Sequence, residues 1–181
     1  MEQITKAPPA LLFTAITYPP HQKYVQSWDV ILHKLIKSDW DIIGPLPFSK
    51  ITHYYEEEMG EELDKIYAVC LKPVSMENAA GFKLKSNLIE DDYRVDGKRI
   101  FNIDPGVLTH FNFSLLTTKG YAHRLYLGQG IWSELTLIYQ DKHYHPLPWT
   151  YPDYKNPRII EFLERERATF KRLDVETLSR Y

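Results

Sequence analysis

Apolar residues along the chain fall into short continuous runs and periodic stretches, and both patterns predict regular structure. The run Leu11 to Tyr18 is β-branched and aromatic and is closed by Pro19-Pro20, which is typical of a buried strand. From Tyr24 to Ile36, apolar residues recur at steps of three and four, which predicts an amphipathic helix. A second amphipathic helix is predicted from Arg158 to about Leu173, capped by Asn156-Pro157.

The remainder of the first half is expected to hold three more extended segments and one helix. Gly44, Pro45 and Pro47 interrupt the first segment, so we expect it at a sheet edge. Ser75 is a suitable N-cap for the helix. The segments are the strands Asp41 to Phe48, Ile51 to Met59 and Leu63 to Val74, and the helix Met76 to Tyr93.

Turn residues divide the second half. After Asp96-Gly97 a short strand is predicted over Arg99 to Ile103. In Asp104-Pro105-Gly106, Asp can cap a helix and Pro suits its first turn. We therefore predict a helix over Val107 to Thr118, with Leu108, Phe111, Leu115 and Leu116 facing inward.

After residue 124 the pattern predicts two β-hairpins. Strands Arg124 to Leu127 and Ile131 to Tyr139 are predicted to pair across Gly128-Gln129-Gly130, and Asp141-Lys142 is a turn into His143 to Leu147. Strands and helices mix without a strict βαβ repeat. The prediction is therefore a single α+β domain over residues 1–181, with a mixed or antiparallel sheet, late β-hairpins and a C-terminal amphipathic helix.

Composition narrows the classes of function. Hydrophobic residues make up 44% and charged residues 25%, which are globular values. The net charge of −2 argues against a protein that binds nucleic acid through its overall charge, and leaves a local basic patch as the alternative. Cys70 is the only cysteine, so no intrachain disulfide can form. The chain shows no signal-peptide pattern and no apolar run of the ~20 residues that span a bilayer. We expect a cytoplasmic protein with no membrane association; its oligomeric state is left open.

Glu56 and Glu58 are the candidate metal ligands. In an extended segment they would share one face, and such paired carboxylates suit a hard cation such as Mg²⁺ or Ca²⁺. The alternative is a solvated acidic edge that prevents aggregation between strands. His143 and His145 also alternate onto one face, although adjacent turn residues favour an exposed edge there over a metal site.

Candidate catalytic and anion-binding residues lie between positions 104 and 134. Asp104 is a candidate catalytic carboxylate, although helix capping alone would explain it. Lys119 and Arg124 are candidate anion ligands, and His123 could transfer protons near neutral pH or be an ordinary structural histidine. Glu134 is a candidate acid or base if its face of the strand lines a cleft, and a simple surface charge if it faces water.

Aromatic residues complete the candidate binding set. Prolines hold the rings of the segment Trp149 to Tyr154 in place, so this segment either covers the core or forms one wall of a pocket. The candidate substrate-binding residues are Lys119, Arg124, Tyr126, Trp149, Tyr151 and Asp153.

Five runs of residues together carry a resemblance to a known family. They are Tyr54-Tyr55-Glu56-Glu57-Glu58-Met59-Gly60, Asp104-Pro105-Gly106, Thr118-Lys119, His123-Arg124-Leu125-Tyr126-Leu127-Gly128-Gln129-Gly130 and Pro148-Trp149-Thr150-Tyr151-Pro152-Asp153-Tyr154. As a set they resemble the uncharacterised bacterial and archaeal family known as domain of unknown function 4416. The resemblance implies one domain over most of the chain and implies no activity.

Two functions agree with these patterns. The first is an enzyme or ligand-binding protein that acts on a small anionic substrate, phosphorylated or nucleotide-like, with a divalent metal such as Mg²⁺ as a candidate cofactor. The second is a non-catalytic module that docks a protein or RNA. The first requires Glu56, Asp104, His123, Arg124 and Glu134 to meet in one concavity, whereas the second would leave them dispersed.

Overall fold

An antiparallel sheet forms the centre of the molecule. The computed structural model describes residues 7–20, 27–49, 51 and 55–178, and within them eight strands form one sheet in the order β2-β3-β1-β4-β5-β7-β6, with β8 paired to β7. The strands are β1 (Ala10–Tyr18), β2 (Trp40–Pro47), β3 (Asp64–Val74), β4 (Asn102–Leu108), β5 (Asn112–Thr117), β6 (Arg124–Gly128), β7 (Ile131–Gln140) and β8 (His143–Pro146).

Helices cover both faces of this sheet. They are α1 (Ser27–Leu35), α2 (Glu56–Met59), α3 (Ala79–Asp92) and α4 (Pro157–Leu178), with 3-10 turns at Met76–Asn78 and Pro152–Lys155. Side chains alternate between the two faces along each strand. Phe13 and Phe113 therefore pack with α4, whereas Ile16 and Ile103 pack with α1 and residues at the end of α3. The predicted α+β class with an antiparallel sheet, late hairpins and a C-terminal helix is confirmed.

Most elements predicted in the first half are present. β1 is buried throughout, β2 lies at the sheet edge, and Ser75 caps the turn before α3 by accepting a hydrogen bond from Glu77 N. Tyr24 and Val25 of the predicted first helix lie outside the described residues. The prediction of an extended segment over Ile51 to Met59 is wrong at its C-terminal end, because Glu56–Met59 is helical. Residues 52–54 of this segment lie outside the described residues.

The helix predicted over Val107 to Thr118 is wrong, and with it the capping role of Asp104. This region forms the hairpin of β4 and β5, and β4 starts at Asn102 rather than at Arg99. Thr109 closes the hairpin, since its Oγ1 accepts hydrogen bonds from Phe111 N and Asn112 N. Phe111, predicted to face inward, is 69% exposed at this turn. A strand buried on both faces carries a continuous apolar run, which periodicity alone does not separate from a helix.

Strands β4 and β5 pair over only a short distance, and their separation creates the site. Their register runs from Leu108↔Phe113 to Gly106↔Leu115. Beyond it, Ile103 N donates to Glu90 Oε1 at 2.6 Å and Ile103 O accepts from Lys83 Nζ at 2.9 Å. Alternate residues point their backbone groups to the same side, so the nitrogen of Pro105 faces this side and cannot donate. Pro105 therefore ends the ladder of hydrogen bonds between β4 and β5. Beyond it, side chains of α3 take the place of β5 as partners of the β4 backbone.

The predicted late hairpins are confirmed. Gly128, Gln129 and Gly130 all have positive φ, of 99°, 54° and 78°, between β6 and β7. Asn156 begins α4 as predicted, since its Oδ1 accepts from Arg158 N at 3.0 Å. None of the helices in the described part of the chain combines the length and the apolar character that a membrane span requires.

Candidate functional site

A cleft with a volume of about 840 Å³ opens where β4 and β5 separate. Its walls come from distant parts of the chain: α2, β3, α3, β4, β5, β6, β7 and the 3-10 turn before α4. Polar side chains of β4, β6 and β7 line the space that opens beside the short β4–β5 ladder. Only the tertiary fold assembles this lining, because no local segment contributes more than a few of its residues.

The lining is rich in charge of both signs. Among the described residues, the basic side chains are Lys65, Lys83, Arg94, Arg99, Lys119 and Arg124, and the acidic ones are Glu58, Glu90, Asp91, Asp104, Glu134 and Asp153. The two sets are equal in number, so the formal charge of the lining is close to zero. Such a cleft offers positioned donors and acceptors rather than a uniform field.

The buried face of α3 supplies two of these charges to β4. Lys83 and Glu90 are seven residues apart, which places them on one side of the helix, and both are buried. Lys83 Nζ also lies 3.7 Å from Asp104 Oδ1, and Asn102 Nδ2 donates to Asp104 Oδ2 at 2.7 Å. Burial raises the pKa of the Glu90 carboxyl. Asp104 itself is 30% exposed in its side chain, so it faces the open cleft.

Arg99 binds Glu58 through two parallel hydrogen bonds. Arg99 Nε and Nη2 lie 2.8 and 2.6 Å from the two carboxylate oxygens of Glu58. This contact lowers the pKa of Glu58 and raises that of Arg99. Arg99 Nη1 donates further to Asn102 Oδ1 at 3.1 Å. The guanidinium therefore holds α2 against β4.

The structural premise of the metal prediction is wrong. Glu56 and Glu58 lie in the helix α2 and not in the extended segment that the prediction assumes. Arg99 engages both oxygens of Glu58, and the side chain of Glu56 lies outside the described residues. Within the described residues, no group of three His, Cys, Asp or Glu side chains could hold a metal ion. His143 instead lies 3.4 Å from Glu164 Oε1 in an exposed position.

Glu134 is the centre of a second buried network. Its Oε2 accepts from Arg124 Nε at 2.7 Å and lies 3.0 Å from His123 Nε2. The His123 ring stacks on Trp149 at 4.7 Å between centroids, and Trp149 Nε1 donates to Leu135 O at 2.7 Å. Neither His123 nor Trp149 lines the cleft itself. His123 is connected to the cleft through its contact with Glu134, and Trp149 through its stacking on His123.

Arg124 is held in position by two hydrogen bonds and keeps further N–H groups for a ligand. Its Nε is bound to Glu134 and its Nη1 donates to Lys119 O at 2.8 Å. Among the described residues, its Nη2 has no hydrogen-bond partner. The side chain is only 11% exposed and lines the cleft. A partly desolvated guanidinium with free N–H groups is a strong site for a carboxylate or phosphate.

The opposite wall is a packed aromatic group around one ion pair. Asp153 Oδ2 accepts from Lys65 Nζ at 2.8 Å and from Tyr67 Oη at 3.1 Å. The ammonium group also lies 4.3 Å from the centre of the Phe48 ring. Tyr154 packs beside them with its hydroxyl buried and without a hydrogen-bond partner among the described residues. Burial raises the pKa of both tyrosine hydroxyls, so they stay protonated.

The structure brings most of the predicted site residues into this one cleft. Seven of them line it: Glu58, Asp104, Lys119, Arg124, Glu134, Tyr151 and Asp153. Tyr126 does not; it is 59% exposed, its ring lies 5.1 Å from that of Trp132, and its hydroxyl accepts from Gly130 N. Asp153 is committed to Lys65 and Tyr67, which gives it a structural contact in addition to its place in the wall.

Sequence reasoning missed several residues of the lining: Lys65, Lys83, Glu90, Arg99 and Asn102. The polar character of the inner face of α3 is visible only in the structure. Lys83 and Glu90 recur at a seven-residue spacing on α3 while Leu88 of the same helix is 67% exposed. A helix that buries charge and exposes leucine has a polar partner on its inner face.

One comparison with known proteins identifies the family of the chain. Comparisons with curated proteins and with solved structures give no match. A family model does match, and it covers residues 8–170, which includes every element that lines the cleft. The chain therefore belongs to the family described as Domain of unknown function (DUF4416).

Proposed function

We propose that the protein binds a small anionic ligand, phosphorylated or carboxylated, in the cleft, as an enzyme or a ligand-binding protein. The observation that carries the proposal is Arg124. Its side chain is 11% exposed, is held at two of its nitrogens, and presents Nη2 without a partner among the described residues. The planar guanidinium matches the geometry of carboxylate and phosphate oxygens, and partial burial strengthens the attraction.

The acidic residues of the cleft support the proposal instead of opposing it. Glu134 holds Arg124 and thereby fixes its orientation before a ligand arrives. A donor that is already positioned loses little conformational entropy on binding. Lys119 adds a more exposed positive charge next to Arg124, since its own carbonyl accepts from Arg124 Nη1.

If the protein is an enzyme, Asp104 and Glu134 are the proposed acid and base. Both line the cleft, and they lie on strands β4 and β7, on either side of β5. Leu115 pairs with Gly106 on one side and with Glu134 on the other, so the two strands are about 10 Å apart at this level. Asp104 lies two residues beyond this level, where β4 and β5 have separated, and the proposed ligand occupies the space that both carboxyl groups line. His123 would act through Glu134 as a positioning residue.

Thermal unfolding in the presence of anions tests the proposal. The panel contains inorganic phosphate, citrate, sugar phosphates and nucleotides, each with and without Mg²⁺. A ligand at about 100 times its Kd stabilises the native state by about 2.7 kcal/mol. Lys119→Ala should reduce the ligand-induced shift. Lys72→Ala, an exposed lysine at the other end of β3, is the matched control and should leave the shift unchanged.

If no anion raises the unfolding temperature of the wild-type protein, the proposal is wrong. The docking module would then be the better hypothesis, because β6 is an edge strand with Leu125 and Tyr126 exposed by 75% and 59%. Co-purification of a protein or RNA partner would support it.

A cytoplasmic location is also part of the proposal and is supported by the free, buried thiol of Cys70.

A further inference from the structure

Two buried polar atoms in the wall of the cleft have no hydrogen-bond partner among the described residues. They are Oε1 of Glu134 and the hydroxyl oxygen of Tyr154. Both residues are 2% exposed, and both line the cleft. A buried polar group without a partner is costly, so native structures rarely keep one unless a water or a ligand completes its hydrogen bonds.

The unpartnered atom of Glu134 is an acceptor. The other oxygen of this carboxylate already takes Arg124 Nε and His123 Nε2, at 2.7 and 3.0 Å. Oε1 therefore has its full acceptor capacity left, and its complement is an O–H or N–H group. A fully ionised phosphate ester or carboxylate group has no O–H or N–H and does not supply such a donor by itself.

The unpartnered atom of Tyr154 is a donor with a fixed position. Its ring packs against Phe13, Phe113 and Tyr67, with centroids 5.5 to 6.0 Å apart. The neighbouring acceptor, Asp153 Oδ2, already receives Lys65 Nζ and Tyr67 Oη. A ligand oxygen is the natural acceptor for the Tyr154 hydroxyl.

These groups together define the chemistry of the ligand. Arg124 Nη2 calls for an anionic group, whereas Glu134 Oε1, on the carboxylate that Arg124 binds, calls for a donor close to that anion. Building on the proposed function, we infer that the ligand is a hydroxylated anion, of the polyol-phosphate or hydroxy-acid class. Its anionic group binds Arg124, and its hydroxyl groups bind Glu134 and Tyr154.

Matched pairs of ligands that differ only in hydroxyl groups test this inference. Glycerol 3-phosphate is compared with propyl phosphate, and gluconate with hexanoate, by calorimetric titration of the full chain. The hydroxylated member of at least one pair should bind 10-fold or more tightly than its partner. The first pair reports a phosphate as the anionic group, and the second a carboxylate.

Variants assign the preference to the two residues. Glu134→Gln should abolish it, because the amide can turn its oxygen to Arg124 and present its NH₂ group to the ligand. Tyr154→Phe should reduce it several-fold and should fold normally, since the lost hydroxyl has no partner among the described residues. Tyr144→Phe is the matched control: its hydroxyl is also buried and unpartnered within the described residues, but it does not line the cleft.

The outcomes separate the two proposals. If no member of either pair binds while an anion of the thermal-unfolding panel does, the inference is overturned and anion binding stands. If none of these anions binds, both proposals are wrong. If both members bind equally, anion binding stands and the inference is overturned. Internal water would then form the hydrogen bonds of Glu134 Oε1 and Tyr154 Oη. An unchanged preference in Tyr154→Phe, or an equal loss in Tyr144→Phe, would remove Tyr154 from the ligand contacts and contradict the inference as stated.

Discussion

Lys65 and Asp153 show how strongly the fold depends on single charges in the cleft. Their side chains are only 5% and 4% exposed, and the two charged groups lie 2.8 Å apart. Asp153→Asn should destabilise the protein by about 3–5 kcal/mol, because it leaves the ammonium group buried without a counter-charge. Urea denaturation measures this loss.

The control for Asp153→Asn is the same substitution in an exposed pair. Asp92 lies 3.2 Å from Lys34, with side chains 63% and 43% exposed. Water screens such a pair, so Asp92→Asn should cost at most about 1 kcal/mol. Equal losses in the two variants would show that the Lys65–Asp153 pair is solvated in solution and would contradict its structural role.

Glu58 gives the stability of the protein a pH dependence with a definite sign. Arg99 lowers the pKa of Glu58 below its ordinary value of 4.5 in the folded protein. The stabilisation is therefore fully present above that ordinary value and is lost as the pH falls through the lowered folded pKa. We expect the difference in unfolding free energy between the wild-type protein and Glu58→Gln to be constant near neutral pH and to shrink below about 4.5.

Denaturation series across this acidic range check the expectation. Glu57→Gln changes the same charge on the same helix at an exposed position and controls for the overall change in charge. A Glu58→Gln difference that grows as the pH falls would have the wrong sign and would show that Arg99 does not bind the Glu58 carboxylate in solution.

At the scale of elements, the β4–β5 hairpin depends on one glycine. A Cβ added at Gly106 would lie 2.7 Å from Ser114 O and 3.1 Å from a ring carbon of Phe113. Gly106→Ala should therefore force the two strands apart and destabilise the protein by about 1–3 kcal/mol. Gly81→Ala is the matched control, because no atom lies within 4 Å of its added Cβ and it is inside α3.

The two alanine substitutions should have opposite signs. In a helix, Ala is more favourable than Gly by about 0.5–1 kcal/mol, so Gly81→Ala should raise the free energy of unfolding. Chemical denaturation of both variants measures the difference. A neutral Gly106→Ala would mean that β4 and β5 are not packed as closely as the register between Gly106 and Leu115 requires.

The same hairpin shows why sequence reasoning reached its limit. The hairpins after residue 124 were predictable because turn residues mark them locally: Gly128-Gln129-Gly130 before β7 and Asp141-Lys142 after it, all with positive φ. Asp104-Pro105-Gly106 offers a local helix signal, but tertiary pairing with β1 determines its structure. Pro105 acts as the end of a ladder and Gly106 as a point of close approach. Neither role can be read without knowing which strand lies beside them.

The candidate site was predictable to a similar extent. Residues with unusual local chemistry, such as Asp104, Arg124 and Glu134, were identified from the sequence, and they do line one cleft. Lys65 and Arg99 were not, because their surroundings in the sequence are ordinary. Their importance comes from Asp153 and Glu58, which lie 88 and 41 residues away along the chain.

At the scale of the whole molecule, one sheet connects two separate apolar layers. Phe162 of α4 is 2% exposed and packs on one face, while Cys70 of β3 is fully buried on the other face with Leu12 and Val74. Because β3 takes part in both layers, loss of one layer should remove the other. We expect the chain to unfold as one cooperative unit, as a single domain requires.

Phe162→Ala tests this coupling through the single cysteine. The substitution leaves a cavity beneath α4 and should cost about 3–5 kcal/mol. In a urea series, the midpoint for exposure of the Cys70 thiol, measured by pulse labelling, should fall together with the midpoint from circular dichroism. Glu161→Ala, exposed on the same helix, should shift neither. If the thiol stays protected after the circular dichroism signal of Phe162→Ala is lost, the two layers unfold separately and the chain is not one domain.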